Sequence, residues 1–128
     1  MRRSLIAAAL AAPLAAALAA CALPAIALAQ GKQDFALVNR TGYQIDQVYV
    51  SSSANSNWGR DLLGSNVLRN GGVFNVSFGR NTQDCSWDIK VVYNDGDTSE
   101  FRRVNLCQVS RVNLFWDRQR GQTRATVE

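Results

Sequence analysis

Three groups of side chains in this sequence have the types and spacing to do chemistry. Asn94-Asp95-Gly96-Asp97-Thr98-Ser99-Glu100 places Asp95, Asp97 and Glu100 within seven residues, a set of hard oxygen donors that calcium can use. The glycine stands at the wrong place for an EF-hand loop and Glu100 follows too soon. The same residues therefore read first as the tight turn that Asp-Gly favours. Trp58, followed by Arg60 and Asp61, comes after the polar stretch Ser51 to Asn57; an indole beside a charge pair suits contact with a sugar or a partner protein. The competing reading folds Trp58, Leu62 and Leu63 back as a lid on an open end of the domain, with Asp61 capping backbone amides. Asp61, Asp84 and Asp88 are the carboxylates available for a general acid and base of the glycosidase kind, but their spacing sets no two of them across a cleft.

The remaining catalytic sets are ruled out by composition. The chain contains no histidine, which removes Ser-His-Asp and Cys-His nucleophiles and leaves too few donors for an ordinary zinc site. No glycine-rich phosphate loop is present, and Lys32 and Lys90 follow no Ser-x-x-Lys pattern. The expectation is a non-catalytic domain that needs no cofactor.

The elements that must position these residues are strands. Cys85 lies eleven residues before Gly96 and Cys107 eleven after it, so a hairpin turning at Asp95-Gly96 brings the two sulfurs opposite one another at disulfide distance. Closing a loop of about 22 residues stabilises by roughly 3 kcal/mol in the chain-entropy picture. Trp87, Ile89, Val91 and Tyr93 share one face of the first arm, whereas the register of the second arm is uncertain by one residue. Phe35 to Val38 reads as a first strand, stopped by Asn39-Arg40-Thr41-Gly42 and expected to pair with Tyr43 to Ser51 as a hairpin. Phe74, Val76 and Phe78 alternate with polar residues in period two, as do Val112, Leu114 and Trp116. Short strands divided by Gly, Asn and Asp turns indicate an all-β fold, an antiparallel β-sandwich of six to seven strands over residues 30–128, ending in a polar tail from about residue 117.

The first 29 residues have the pattern of an export signal: Arg2 and Arg3, an apolar run from Leu5, and Ala27-Leu28-Ala29 as the small-x-small cleavage site. Arg2-Arg3 also fits the twin-arginine signal. Leu18-Ala19-Ala20-Cys21 matches a lipoprotein box that would acylate Cys21, and Leu5 to Ala29 is long enough to cross a bilayer if it is not cleaved. A periplasmic or secreted product suits two remaining cysteines, an even number in an oxidising compartment. Without Arg2 and Arg3, twelve basic residues face ten acidic ones. Arg111, Arg118, Arg120 and Arg124 are the nearest thing to a patch. That balance carries no nucleic-acid footprint.

With those residues in view, the chain resembles a group of small exported bacterial β-domain proteins, often labelled as twin-arginine-pathway signal proteins. The features carrying the resemblance are Phe35 to Gly42, Ile45 with Val48-Tyr49-Val50-Ser51, Trp58-Gly59-Arg60-Asp61-Leu62-Leu63-Gly64, Cys85-Ser86-Trp87-Asp88-Ile89, Asp95-Gly96 and Asn105-Leu106-Cys107. It implies a compact β fold and export. Some chains of that group carry an argininosuccinate lyase name, but such a lyase is a large helical tetramer and its activity does not transfer to a chain this short. The expected function is extracytoplasmic binding of a protein or glycan of the cell envelope through the loop from Ser51 to Gly64. The alternative is a structural envelope component held through Cys21.

Overall fold

A computed structural model of the chain describes residues 31–128. The expected signal segment, its cleavage site and Cys21 lie outside the described residues. These contain seven strands and no helix: β1 (Phe35–Arg40), β2 (Ile45–Ser52), β3 (Val73–Val76), β4 (Ser86–Tyr93), β5 (Thr98–Asn105), β6 (Arg111–Asp117) and β7 (Gln122–Val127). Two sheets form, in the orders β3-β1-β6-β7 and β2-β4-β5. Their inner faces meet over one core, with Leu37, Val112 and Leu114 from the first sheet and Ile45, Val48, Ile89 and Val91 from the second. Alternation in β4 and β6 produces this: the odd residues of one and the even residues of the other are aliphatic or aromatic, so each strand turns one such face to the core. The all-β sandwich expected from the sequence is therefore the fold.

The Asp95-Gly96 hairpin forms as β4 and β5. Gly96 takes φ +93°, and the Asp97 amide donates to Asp95 Oδ1 at 2.9 Å. At the other end of the hairpin Cys85 and Cys107 are joined, with Cα atoms 5.2 Å apart. A bulge makes that meeting possible. Near the turn Lys90 pairs with Glu100 and Ile89 with Phe101, but beyond Asp88 the pairs are Trp87 with Val104 and Ser86 with Asn105. Arg102 and Arg103 together oppose the single residue Asp88. Without the extra residue on β5, Cys107 would stand a full residue further from Cys85 along the strand.

Three expectations need correction. First, β1 and β2 do not form a hairpin. Asn39 is fully buried; its Nδ2 donates to the carbonyls of Tyr43 at 2.8 Å and Leu68 at 3.0 Å, while its Oδ1 accepts from the Thr41 amide and hydroxyl. This Asx turn, with Gly42 at φ +88°, lifts the chain out of one sheet and into the other. Second, the sheets are not wholly antiparallel, because β1 runs parallel to β6 from Ala36↔Arg111 to Arg40↔Phe115. Third, the polar tail is a strand. β7 pairs antiparallel with β6 from Asp117↔Gln122 to Val112↔Val127, with Thr123 buried and Ala125 packed on the core. Its small and polar residues hid it, because an edge strand needs little apolar surface.

The registers give the sandwich two distinct ends. β1, β4 and β6 start at the disulfide end, where the Phe35, Phe78 and Trp87 rings follow one another at 6.4 and 4.7 Å. They finish at the opposite end, beside Tyr43, the Asp95-Gly96 turn and Trp116.

Candidate functional site

The loop expected to meet a partner lies across the outer face of the β2-β4-β5 sheet. Ser51 Oγ donates to the Asn57 carbonyl at 2.7 Å and Ser53 Oγ to Asp88 Oδ1 at 2.7 Å. These bonds lay the loop over Asp88, which is only 4% exposed. Trp58 closes the cover: its ring lies 5.2 Å from the Arg102 guanidinium and 5.4 Å from the Lys90 ammonium, while Lys90 also stands 5.0 Å from the Tyr49 ring. The indole thus sits against two cations, with a cavity of about 40 Å³ beneath it. Half-buried, Trp58 covers a sheet face rather than an open end of the sandwich.

Asp88 faces outward on its strand, but it is not solvated. Oδ1 accepts from the Arg103 amide at 2.9 Å as well as from Ser53, and Oδ2 accepts from Arg102 Nη1 at 3.0 Å. Burial pushes its carboxyl up, but the Arg103 amide, the Ser53 hydroxyl and the Arg102 guanidinium outweigh that and hold it below the usual carboxylate range. Arg103 adopts φ +56°, a conformation that costs a branched-off side chain energy, and the carboxylate holds the amide there. Asp88 is therefore the keystone of the bulge.

The other carboxylates are similarly placed. Asp61 Oδ1 accepts from the amides of Val48 at 2.9 Å and Leu63 at 3.0 Å, and the Leu62 amide donates to the Val48 carbonyl at 2.8 Å. Residues 61–63 thereby cover the free edge of β2 and deliver Leu63 to the core. Arg60 projects into solvent, so Trp58, Arg60 and Asp61 do not converge. Asp84 Oδ2 accepts from Ser52 Oγ. Asp95 and Asp97 stay in the turn, but Glu100 points along β5 to pair with Arg102, which separates it from them. Among the described residues no three acidic, Cys or His side chains are grouped to hold a metal.

Aromatic side chains converge instead at the end opposite the disulfide. Tyr43 is 53% exposed. Its ring meets Trp116 edge-on at 5.8 Å and 81°, and meets Tyr93 edge-on at 6.4 Å and 82°. Tyr93 is buried, and its hydroxyl and the Ser99 hydroxyl both bond Thr123 Oγ1, at 2.6 and 2.9 Å, so β7 is tied to the opposite sheet and the floor is rigid. Burial raises the Tyr93 phenol above its ordinary pKa, which keeps it neutral. On one side of the Tyr43–Trp116 pair an open groove of about 760 Å³ is bordered by Thr41, Phe115, Asp117, Arg118, Gln119 and Arg124. On the other side a recess of about 140 Å³ reaches Asp95 and Asp97.

The charges around this groove are unequal. Asp117 is occupied by its own loop: Oδ1 accepts from the amides of Gln119 at 3.0 Å and Arg120 at 3.2 Å, and Oδ2 stands 3.9 Å from Arg120 Nε. Arg118 and Arg124 make no hydrogen bond or ion pair among the described residues. Both guanidinium groups are exposed at the groove.

Sequence reasoning missed this site because Tyr43 and Trp116 each fit the core-facing parity of a strand. The signal was their position: each stands one step beyond the last buried aliphatic of its strand, Ile45 and Leu114 respectively. Their meeting depends on the parallel pairing of β1 with β6, which carries Trp116 alongside the residues that follow Arg40.

No family model matches the chain, and no curated protein is similar to it. Among solved structures, the chain is similar to a protein from Eubacterium rectale determined by NMR, with TM-score 0.50 and 16% identity over 73% of this chain and 85% of that one. The likeness is one of fold.

Proposed function

We propose that this chain is an exported, non-catalytic binding domain of the cell envelope, and that its ligand seats in the groove beside Tyr43 and Trp116. The observation that carries this reading is the exposed Tyr43 ring, fixed edge-on by Trp116 over a rigid floor, beside two guanidinium groups with no partner among the described residues. Amphipathic rings with a few convergent polar groups are the usual composition of a ligand site. A non-catalytic role is supported by where the carboxylates stand. Of the three acid-base candidates, Asp61 and Asp88 are spent on backbone amides, Ser53 and Arg102, and Asp84 accepts from Ser52. Export is supported by the Cys85–Cys107 disulfide, which is consistent with an oxidising compartment, by the signal pattern of residues 1–29, and by the resemblance to small exported β-domain proteins often labelled as twin-arginine-pathway signal proteins.

A two-dimensional NMR titration with a panel of envelope oligosaccharides and peptides tests the binding reading. Shifts at Tyr43, Trp116 and Arg124 are expected. A panel that moves only residues 51–64 returns the site to the Trp58 loop, and one that moves neither region removes the reading. Intact mass of native material tests the leader: loss of residues 1–29 is expected, whereas acylation at Cys21 makes the chain an anchored envelope component.

A further inference from the structure

We infer that the ligand of this groove is an acidic glycan with carboxylates on alternate sugars, an inference that rests on the groove being the binding site. The two sides of the Tyr43–Trp116 pair differ in charge. Arg118 and Arg124 border the larger side, and Asp117, the acid that lines it with them, is turned into its own loop by the Gln119 and Arg120 amides. A planar guanidinium with all its donors free is the group best matched to a carboxylate, which it binds through two parallel N–H bonds. The smaller side carries Asp95 and Asp97. Asp95 uses one oxygen on the Asp97 amide, while the Asp97 carboxylate has no partner among the described residues. Those oxygens accept from hydroxyl or acetamido N–H groups and repel a second carboxylate. Between them stand the two rings, Tyr43 exposed and Trp116 half-buried, which offer apolar faces and edges to sugar C–H surfaces while the polar substituents point outward.

A groove open to solvent along one side suits an extended chain rather than an enclosed small molecule, and the polarity sets its pattern. An acidic ring at the arginines must be followed by an uncharged ring at the aspartates. A glycan acidic at every ring brings a carboxylate against Asp95 and Asp97, and a neutral glycan leaves both arginines unused.

The test is an NMR titration of the protein with a tetraglutamate peptide and three tetrasaccharides: alternating glucuronate and N-acetylglucosamine, all N-acetylglucosamine, and all galacturonate. The alternating chain is expected to shift Tyr43, Trp116 and Arg124, and to bind about 10-fold or more tighter than either other chain, with affinity falling as salt rises. Arg118→Gln and Arg124→Gln each weaken that binding about 10-fold, and both variants keep the parent spectrum elsewhere because the side chains are exposed. Asp95→Asn with Asp97→Asn, which preserves the Asp95 turn acceptor, brings the galacturonate chain up towards the alternating one. Equal binding of the neutral chain overturns the charge assignment but leaves the groove as a site. A tetraglutamate peptide that outbinds the alternating glycan overturns the glycan assignment. No shift at Tyr43 or Trp116 with any probe overturns the inference, and the wider panel then decides whether the groove binds at all.

Discussion

The two ends of this sandwich are built in opposite ways from similar material. Both have aromatic rings at the ends of strands. At the disulfide end Phe35, Phe78 and Trp87 are packed, the Trp87 indole donates to the Asp84 carbonyl at 2.9 Å, and Gln33 Nε2 holds the carbonyls of Thr82 and Asp84 at 3.0 and 2.9 Å. The Phe78 backbone is held as well, its amide donating to Asp34 Oδ1 at 2.8 Å. At the opposite end Tyr43 is left open, and the braces lie beneath it, in the Tyr93–Thr123 bond and the Asn39 turn. The difference separates the end that is closed from the end where the proposed ligand would seat. One end is closed by the disulfide and packed rings, and the other leaves an aromatic surface exposed over braces of its own.

The largest expected effect of breaking that division comes from the staple. Replacing Cys85 and Cys107 together by serine should cost about 3 kcal/mol, the chain-entropy value for a loop of this length, read as a lower denaturant midpoint. The groove should keep its shape in whatever fraction stays folded.

Next is the bulge. Asp88→Ala removes a buried carboxylate and strands the Arg103 amide and the Ser53 hydroxyl, a loss of about 2–3 kcal/mol that urea unfolding would register. Because the folded state lowers the Asp88 pKa, its stabilisation is fully present above the ordinary aspartate pKa near ~3.9. It is lost as pH falls through the lower folded value. The wild type should therefore lose stability on acidification below about pH 4 more steeply than Asp88→Asn, when unfolding is followed across that range.

How much of this was legible beforehand follows the range of the interactions. The β4–β5 hairpin and its disulfide were readable because Asp95-Gly96 and the symmetric cysteines are local signals. The bulge was not, since Asp88 looks like any outward strand residue until Arg102 and Arg103 oppose it; the one-residue ambiguity in the second arm was its only trace. Asp61 as a cap on backbone amides was also readable, from its place beside Leu62 and Leu63. β7 escaped notice because Thr123 and Ala125 are weak apolar markers. The groove depends on a parallel contact between β1 and β6, whose paired residues, such as Ala36 and Arg111, lie 75 apart in the chain, and no local pattern announces such a pairing.

A smaller effect is expected at the Trp58 cover. Trp58→Ala removes contacts to Lys90 and Arg102 and opens the layer over Asp88, a change of about 1–2 kcal/mol that thermal melting would show. Smallest of all, Tyr43→Ala should alter stability by no more than about 0.5 kcal/mol, since the residue is 53% exposed, and calorimetry should give nearly the wild-type melting temperature.

Those last two variants supply the most direct measurement of the division between the ends. Each is titrated with the alternating glucuronate and N-acetylglucosamine tetrasaccharide while its melting temperature is recorded. The account predicts that Tyr43→Ala melts like the parent and loses binding, and that Trp58→Ala melts earlier and binds like the parent. Binding lost with Trp58 and kept without Tyr43 would contradict it.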